Sequence, residues 1–254
     1  MTIIDAHCHS GVAGVLVPHG TPDHSLARYT RRAARAGIRS SVLMAPPGGV
    51  YREANRRVAA LVRGDPSRWL GFVFVSPVAD RGHVAMVVDE ALHWGACGIK
   101  VHWSDGVITP EVGKVAEYRR LPVLYDPCGD LDAVRRAVRS FPDVAWIVPH
   151  LSSFADDPRA QAGLIDALER SPNLFTDTAG VRYFDLLSDA VRRAGPHKVL
   201  FGSDGPFLHP GVELAKVDAL HLDPAATALI VGGNIQRLTR YSRGRSEVEM
   251  RRQR

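Results

Sequence analysis

Eight short apolar runs recur along the chain, and stretches with Ala, Arg, Val and Leu at helical spacing separate them. Apolar runs of this length predict buried strands, and the spacing between them predicts amphipathic helices. Each return to a parallel neighbour requires a crossover, so the alternation predicts parallel strands. The predicted strands are residues 3–7, 41–45, 70–75, 98–102, 122–126, 144–148, 174–177 and 199–201. The predicted helices are residues 25–36, 51–63, 84–94, 131–140, 160–170 and 184–194, with a weaker one at 110–120.

Eight strand–helix units favour a closed barrel over an open sheet. The 254 residues of the chain also match the roughly 250 that such a barrel needs. We therefore predict the α/β class and a single-domain (β/α)8 TIM barrel over residues 1–242. Residues 243–254 are predicted to form a basic, flexible C-terminal tail.

The formal net charge of +5 is unevenly distributed. Residues 240–254 contain six arginines and two glutamates, so the rest of the chain is close to neutral. A basic terminal segment is more often solvated than a binding surface, and we expect no nucleic-acid partner. The expected partner is a small-molecule substrate. Assembly into a homo-oligomer is left open, because no patch of the sequence can be assigned to an interface.

Three absences bear on where the protein works. No apolar run approaches the roughly 20 residues that span a bilayer, so we expect no membrane segment. The N-terminus lacks a basic segment followed by an apolar stretch, so we expect no secretory signal. The three cysteines, at irregular spacing, do not suggest a disulfide framework. Together these features predict a cytoplasmic protein.

Polar side chains collect at the predicted carboxyl ends of the strands, where barrels of this type carry their functional groups. Of the eleven histidines, four fall at or just after such ends, and two aspartates do the same. Groups from distant parts of the sequence are therefore expected on one rim. They are His7, His9, His102, Asp126, His150 and Asp204.

The triplet His7-Cys8-His9 is the sharpest of these signals. Side chains two residues apart on a strand share a face, so both imidazoles can enter the barrel mouth while Cys8 points toward the helices. Imidazole suits zinc, iron and nickel, and carboxylates supply further ligands. The alternative is a pair of histidines satisfied by hydrogen bonds in a polar rim. Because His150 and Asp204 are expected nearby, we interpret the pair as half of a metal site.

The segment Asp5-Ala6-His7-Cys8-His9 has the pattern Asp-x-His-x-His. It is similar to the opening of the amidohydrolase superfamily, and the chain as a whole resembles the amidohydrolase-related (type 2) branch of that superfamily. The resemblance continues in order to about residue 241 and implies a metal-dependent hydrolase or, in one subgroup, a non-oxidative decarboxylase of aromatic or unsaturated acids. The further matching segments are residues 66–77, 98–102, 149–152, 200–206 and 232–234.

One departure from the family pattern concerns the end of strand five. Members usually place a metal-binding histidine there, and this chain has Asp126. A carboxylate can ligate zinc or manganese. The predicted ligands of a divalent metal, zinc first and manganese second, are therefore His7, His9, Asp126 and Asp204. The substitution also leaves open a loss of the metal. For Cys128, two residues on, burial as an inert thiol is the simpler interpretation.

Asp204 and His150 are the predicted catalytic residues. A carboxylate beside a metal can shuttle a proton, and an imidazole can polarise a substrate carbonyl. A helix cap is the alternative role for Asp204.

Four residues are predicted to bind substrate. Lys100 and His102 share a face of strand four, and Trp103 and Arg182 follow strands four and seven. For His102, replacement of the metal ligand missing from strand five is left open as an alternative. In some superfamily members a lysine on strand four is carbamylated and bridges two metals. For Lys100 that role is left open beside a lysine that bonds carboxylates of the rim.

The predicted function is hydrolysis of a C–O or C–N bond in a small molecule, such as a lactone, ester or amide, by a metal-activated water. Two alternatives stay open. One is metal-assisted decarboxylation of an aromatic or unsaturated acid. The other is a non-catalytic barrel that has lost its metal, for which Asp126 is the main support.

Overall fold

The computed structural model describes residues 1–10, 26–48, 51–152 and 157–240. Eight parallel strands follow one another in chain order, each hydrogen-bonded to the next. Ala6 N donates to Phe201 O at 2.9 Å, and Cys8 forms a bridge with Gly205, so the end of the last strand returns to the first. The strands are β1 Ile3–His9, β2 Ile38–Met44, β3 Trp69–Phe74, β4 Ala96–His102, β5 Val123–Asp126, β6 Trp146–Val148, β7 Leu174–Asp177 and β8 Val199–Leu200.

Helices cover the outside of the barrel in the part of the chain described. Several begin at a polar cap followed by proline, as at Thr109 with Pro110 and Asp157 with Pro158. The cap oxygen accepts a backbone N–H of the first turn, and proline sets the helical φ there. The helices are α1 Leu26–Arg35, α2 Tyr51–Gly64, α3 Val84–His93, α4 Pro110–Arg119, α5 Leu131–Ser140, α6 Pro158–Arg170, α7 Phe184–Ala194, α8 Pro210–Asp218 and α9 Pro224–Ala228.

The predicted TIM barrel is confirmed. β1 runs two residues beyond its predicted end and includes His9. The sequence does not predict α8, because Leu214 and Val217 are the only large apolar side chains that it buries. The tail predicted at 243–254 lies outside the described residues and stays a prediction. Within the described ranges, no helix combines the length and the apolar character needed to cross a membrane.

Apolar side chains fill the barrel beneath its carboxyl-end rim, and a larger apolar cluster lies between the strands and the helices. In β5, Leu124 belongs to the interior cluster and Asp126 follows two residues later. β7 repeats this arrangement with Phe175 and Asp177. Strand alternation therefore sets carboxylates directly above an apolar plug.

β1 contains an irregularity that decides where its histidines point. Its pairing with β2 shifts register between Asp5 and Cys8. Ile4 belongs to the interior cluster, whereas Cys8 packs in the outer cluster. Uninterrupted alternation from Ile4 would place Cys8 inside. The extra residue of the bulge reverses the faces, so His7 and His9 point into the mouth.

Candidate metal centre and active site

Two imidazoles at the end of β1 converge on one point. His7 Nε2 and His9 Nε2 lie 3.1 Å apart. Their other nitrogens point away: His7 Nδ1 is 2.9 Å from Asp177 Oδ2, and His9 Nδ1 is 3.0 Å from Ala45 O. These oxygens accept, so both Nδ1 atoms carry the hydrogen and both Nε2 atoms present lone pairs. Burial, reinforced by the charge of Lys100, lowers the pKa of His7 well below its usual value and keeps the ring neutral.

Asp204, in the turn after β8, adds a carboxylate to the two imidazoles. Its Oδ1 is 3.2 Å from His9 Nε2 and 3.7 Å from His7 Nε2. Its backbone has a φ of 53°, a conformation that few non-glycine residues adopt. Burial tends to raise the pKa of Asp204, but the imidazoles of His9 and His7 beside it outweigh burial and lower the pKa. The carboxylate is therefore ionised.

These three side chains fit a divalent metal ion. Their ligand atoms all lie within 4.8 Å of one another, and all three residues are buried. Two nitrogens bound to one ion at about 2.1 Å are separated by about 3 Å, which is the spacing of the two Nε2 atoms. Without a cation between them, two facing lone pairs repel each other. Two imidazoles and one carboxylate suit zinc or manganese and leave coordination positions open.

A second carboxylate, Asp177 at the end of β7, lies behind His7. Its Oδ2 accepts from His7 Nδ1, and its Oδ1 accepts the backbone amides of His150 and Ala179, both at 3.1 Å. A carboxylate that orients a metal-binding imidazole is a recurrent feature of metal sites. Asp177 is not among the residues predicted from the sequence. The signal was available, because Asp177 ends a predicted strand on the same rim as the other candidates.

His150 stands beside His7, with 5.2 Å between ring centroids. Its Nδ1 donates to Ala179 O at 2.7 Å, so its Nε2 also presents a lone pair. In the neutral ring this nitrogen accepts a proton rather than donating one. The carbonyl-polarising role predicted for His150 therefore requires its protonated form.

Asp5 ties β1 to the turn that carries Asp204. It accepts the backbone amides of Ser203 at 2.9 Å and His7 at 3.1 Å. It also accepts the hydroxyls of Tyr29, at 2.7 Å, and of Ser203. Burial raises the pKa of Asp5 to about 6, although these hydrogen bonds oppose the shift. The aspartate of the Asp-x-His-x-His motif thus holds the metal-site segments together.

Asp126 faces two other imidazoles. Its Oδ2 is 3.5 Å from His102 Nε2 and 4.0 Å from His150 Nε2. Among the described residues, the compact groups of side chains that could hold a metal are His7, His9 and Asp204, and His7, His150 and Asp177. Asp126 belongs to neither. Burial tends to raise the pKa of Asp126, but the charge of Lys100 outweighs it and the pKa is lowered. Metal ligation by Asp126 stays a prediction.

The interpretation of Cys128 as a buried thiol is wrong. Its side chain is exposed, because the turn after β5 has a φ of 47° at this residue and carries it to the mouth. Its backbone amide donates to Asp126 Oδ1 at 2.9 Å. The turn therefore orients the carboxylate of Asp126.

These groups open into a cavity of about 270 Å³ at the barrel mouth. Trp103, 52% exposed, and Phe207 give it flat apolar walls. Lys100 reaches it from below and is 1% exposed. Burial lowers the pKa of Lys100, and the carboxylates around it oppose that shift. Arg182 is exposed and does not line this cavity, so its contact with substrate stays a prediction. The lining residues are His7, His9, Pro47, Lys100, His102, Trp103, Asp126, Cys128, His150, Asp204 and Phe207.

The protein is thus a parallel eight-stranded TIM barrel whose mouth carries a buried cluster of histidines and aspartates that could hold a metal ion. The model of the amidohydrolase family matches residues 4–240. The chain therefore belongs to this family of metal-dependent enzymes, and the resemblance seen in the sequence is confirmed. A search of curated protein sequences gives no match.

Solved structures of the same fold include decarboxylases and a candidate hydrolase. The 2,6-dihydroxybenzoate decarboxylase from Rhizobium has a TM-score of 0.76 at 15% identity, over 94% of this chain and 98% of that one. The dihydroxybenzoic acid decarboxylase from Polaromonas sp. JS666, with bound manganese and 2-nitroresorcinol, has a TM-score of 0.74 at 16% identity, over 96% and 98%. A candidate 2-pyrone-4,6-dicarboxylic acid hydrolase from Pseudomonas putida has a TM-score of 0.71 at 16% identity, over 94% and 98%. At such identities these similarities establish the fold.

Proposed function

We propose that the protein is a metal-dependent hydrolase that cleaves a C–O or C–N bond in a small molecule, such as a lactone, ester or amide. The observation that carries the proposal is the convergence of two Nε2 lone pairs and the Asp204 carboxylate in the wall of the cavity at the barrel mouth. We propose His7, His9 and Asp204 as ligands of zinc, with manganese as the alternative. A divalent ion held there would lower the pKa of a bound water toward about 7 and polarise a carbonyl group.

Proton transfer falls to Asp204. It is ionised and buried beside His9, so it can take the proton of the attacking water and deliver it to the leaving oxygen or nitrogen. His150 offers a second proton-accepting nitrogen on the same side of the mouth. Once protonated, His150 can donate to the carbonyl oxygen, which is the role predicted for it from the sequence.

The mouth favours a flat substrate that carries negative charge. Trp103 and Phe207 supply apolar surface, and Lys100 supplies a buried cation. We propose that Lys100 attracts a carboxylate of the substrate, while Trp103 packs against a ring or an unsaturated chain. A cytoplasmic location and the absence of a nucleic-acid partner stay predictions of the sequence.

A second reaction is non-oxidative decarboxylation of an aromatic or unsaturated acid. Two observations favour it: the apolar walls of the mouth and the structural similarity to two decarboxylases of ring-bearing acids. In this reaction Asp204 would first take up a proton from solvent and then deliver it to the carbon that releases carbon dioxide. No water would be consumed.

Isotopic labelling separates the two reactions. Purified protein loaded with zinc or manganese is incubated in ¹⁸O-water with a panel of lactones, esters and amides and with dihydroxybenzoate-type acids. Hydrolysis leaves one ¹⁸O atom in the product carboxyl group and releases no carbon dioxide. If carbon dioxide is released in proportion to substrate loss and the organic product contains no ¹⁸O, the protein is a decarboxylase and not a hydrolase. Protein that holds no stoichiometric metal and takes up neither ion supports the non-catalytic barrel instead.

A further inference from the structure

Among the described residues four imidazoles line the mouth, and one of them has its two nitrogens reversed. His7, His9 and His150 each donate through Nδ1 and present an Nε2 lone pair to the mouth. In His102 the backbone amide of Ser104 donates to Nδ1 at 3.3 Å. An amide N–H can only donate, so Nδ1 of His102 holds a lone pair. In the neutral ring the hydrogen is then on Nε2.

The hydroxyl of Ser104 is the second neighbour of this nitrogen. Its Oγ is 2.7 Å from His102 Nδ1 and 3.2 Å from Asp105 Oδ2, so with Nδ1 as an acceptor the hydroxyl shares one hydrogen between two acceptors. Both contacts belong to the 3₁₀ turn Trp103–Asp105, which the His102 side chain caps. The nearest carboxylate, Asp126 Oδ2, is 3.5 Å from Nε2, which is beyond a normal hydrogen bond. The Nε2–H is therefore available to a substrate.

The 3₁₀ turn is anchored from outside the mouth. The hydroxyl of Tyr51 donates to Asp105 Oδ2 at 2.6 Å and accepts from Gly48 N at 2.9 Å. Its ring stacks on Phe74, with 3.9 Å between centroids and 8° between planes. Ser104 Oγ lies 3.2 Å from the same Asp105 oxygen. One buried hydroxyl thus joins the loop after β2 to the turn after β4.

We infer that His102 is a fixed hydrogen-bond donor to an anionic or carbonyl oxygen of the substrate, and that Ser104, Asp105 and Tyr51 are positioning residues that hold it in this state. The donor role rests on the proposed function, whereas the position of the ring hydrogen does not. Three imidazoles of the mouth supply lone pairs for a metal or a proton. The fourth supplies the N–H that the other three lack in their neutral forms.

The position of the hydrogen is measured directly by ¹⁵N NMR of protein labelled at its histidine rings, at neutral pH. The resonances lost in His102→Gln identify His102, and they are expected to report a ring protonated at Nε2. Ser104→Ala and Tyr51→Phe should shift or broaden them. Tyr118→Phe, on a ring that is 75% exposed on α4, is the matched control and should leave them unchanged. A wild-type His102 protonated at Nδ1 overturns the inference, whether or not a substrate is known.

Turnover tests the donor role once a substrate is in hand. His102→Gln keeps an N–H at similar reach, and His102→Met removes it at similar size. We expect kcat/KM to fall about tenfold in the glutamine variant and about 10²–10³-fold in the methionine variant, the usual effect of losing one oriented donor. Metal content should be unchanged in both. Equal losses in the two variants, or loss of metal in either, overturn the inference.

Tyr51→Phe tests the anchor. The expected result is a fall in kcat of about threefold to tenfold with full metal content, because the donor is still present but less well held. Asp105→Asn should reproduce it, and Tyr118→Phe should not. Full activity in both anchor variants removes Tyr51 and Asp105 from the inference. An inactive wild type across the substrate panel is a failure of the proposed function, and the NMR result then decides the ring assignment alone.

Discussion

The two rims of the barrel use buried polar side chains in opposite ways. At the carboxyl-end rim, imidazoles and carboxylates face one another, as where His7 Nε2 lies 3.1 Å from His9 Nε2. At the amino-end rim, the ammonium of Lys198 donates to three backbone carbonyls in the segment that leads into β7, at 2.6, 2.8 and 3.1 Å. Asn234 Nδ2 likewise donates to two carbonyls at 2.8 and 2.7 Å. Both rims bury polar groups, but only one leaves lone pairs directed at a common point.

Burial of a charged or polar side chain is therefore not what distinguishes the site. A side-chain donor whose hydrogens all bind backbone carbonyls has none left for a ligand. Its role is to supply the hydrogen bonds that these buried carbonyls need. A lone pair that faces another lone pair requires a proton or a metal ion. The comparison predicts that damage to the amino-end rim lowers stability, while damage to the carboxyl-end rim lowers metal binding and turnover.

The largest effect is expected from His7→Ala. It removes one of three ligands and leaves Asp177 without its imidazole partner, so stoichiometric metal uptake should be lost. The loss of the metal's contribution to transition-state stabilisation, several kcal/mol, corresponds to a fall in activity on the order of 10³-fold. Metal analysis and circular dichroism check this, with exposed His93→Ala as the control. Unchanged metal content would remove His7 from the site.

Lys198→Met tests the amino-end rim. It leaves three carbonyl oxygens without their donor, and burial of such groups predicts a loss of about 3 kcal/mol in the free energy of unfolding. Urea titration measures this loss, and exposed Lys114→Met is the control. Metal affinity of the folded variant should match the wild type. A weakened metal site with unchanged stability would reverse the comparison.

His102 links stability to pH. Burial lowers its pKa to about 4, from about 6.5 in the unfolded chain. Between these values the unfolded chain binds a proton that the folded protein does not. Stability conferred by the neutral ring is therefore lost as the pH falls from about 6.5 to 4. His102→Gln should remove about 2 kcal/mol of the difference in unfolding free energy between pH 7 and 4.5. A slope as steep as that of the wild type would contradict this, and exposed His93→Gln should keep the slope.

A more moderate loss of metal affinity than in His7→Ala is expected from Asp177→Asn. The amide keeps the size of the side chain but weakens the orientation of His7, and changes of this kind lower metal affinity about 10-fold to 100-fold. Competition titration with a chelator of known affinity measures the change. Asp132→Asn, on a side chain that is 75% exposed on α5, should have no effect. An affinity equal to that of the wild type would place Asp177 among the groups that serve stability only.

Apolar patterning was sufficient to predict the barrel, because parallel strands and their crossover helices differ in period along the whole chain. The rim positions of His7, His9 and Asp204 followed from the same pattern. Asp177 was missed although the strand-end rule applies to it. The hydrogen on His102 could not be predicted, because it depends on how one backbone amide of a short turn approaches the ring. The bulge in β1 could not be predicted either, because apolar and polar residues alternate without interruption from Ile4 to His9.

That bulge divides β1 into two segments whose side-chain directions have different causes. Before the bulge, packing in the barrel interior decides which side chains point inward. After the bulge, the extra residue decides it. The facing of the two histidines is therefore set by the local pairing of β1 with β2 and by the contacts of Asp5 with Ser203, and not by the alternation that starts at Ile4.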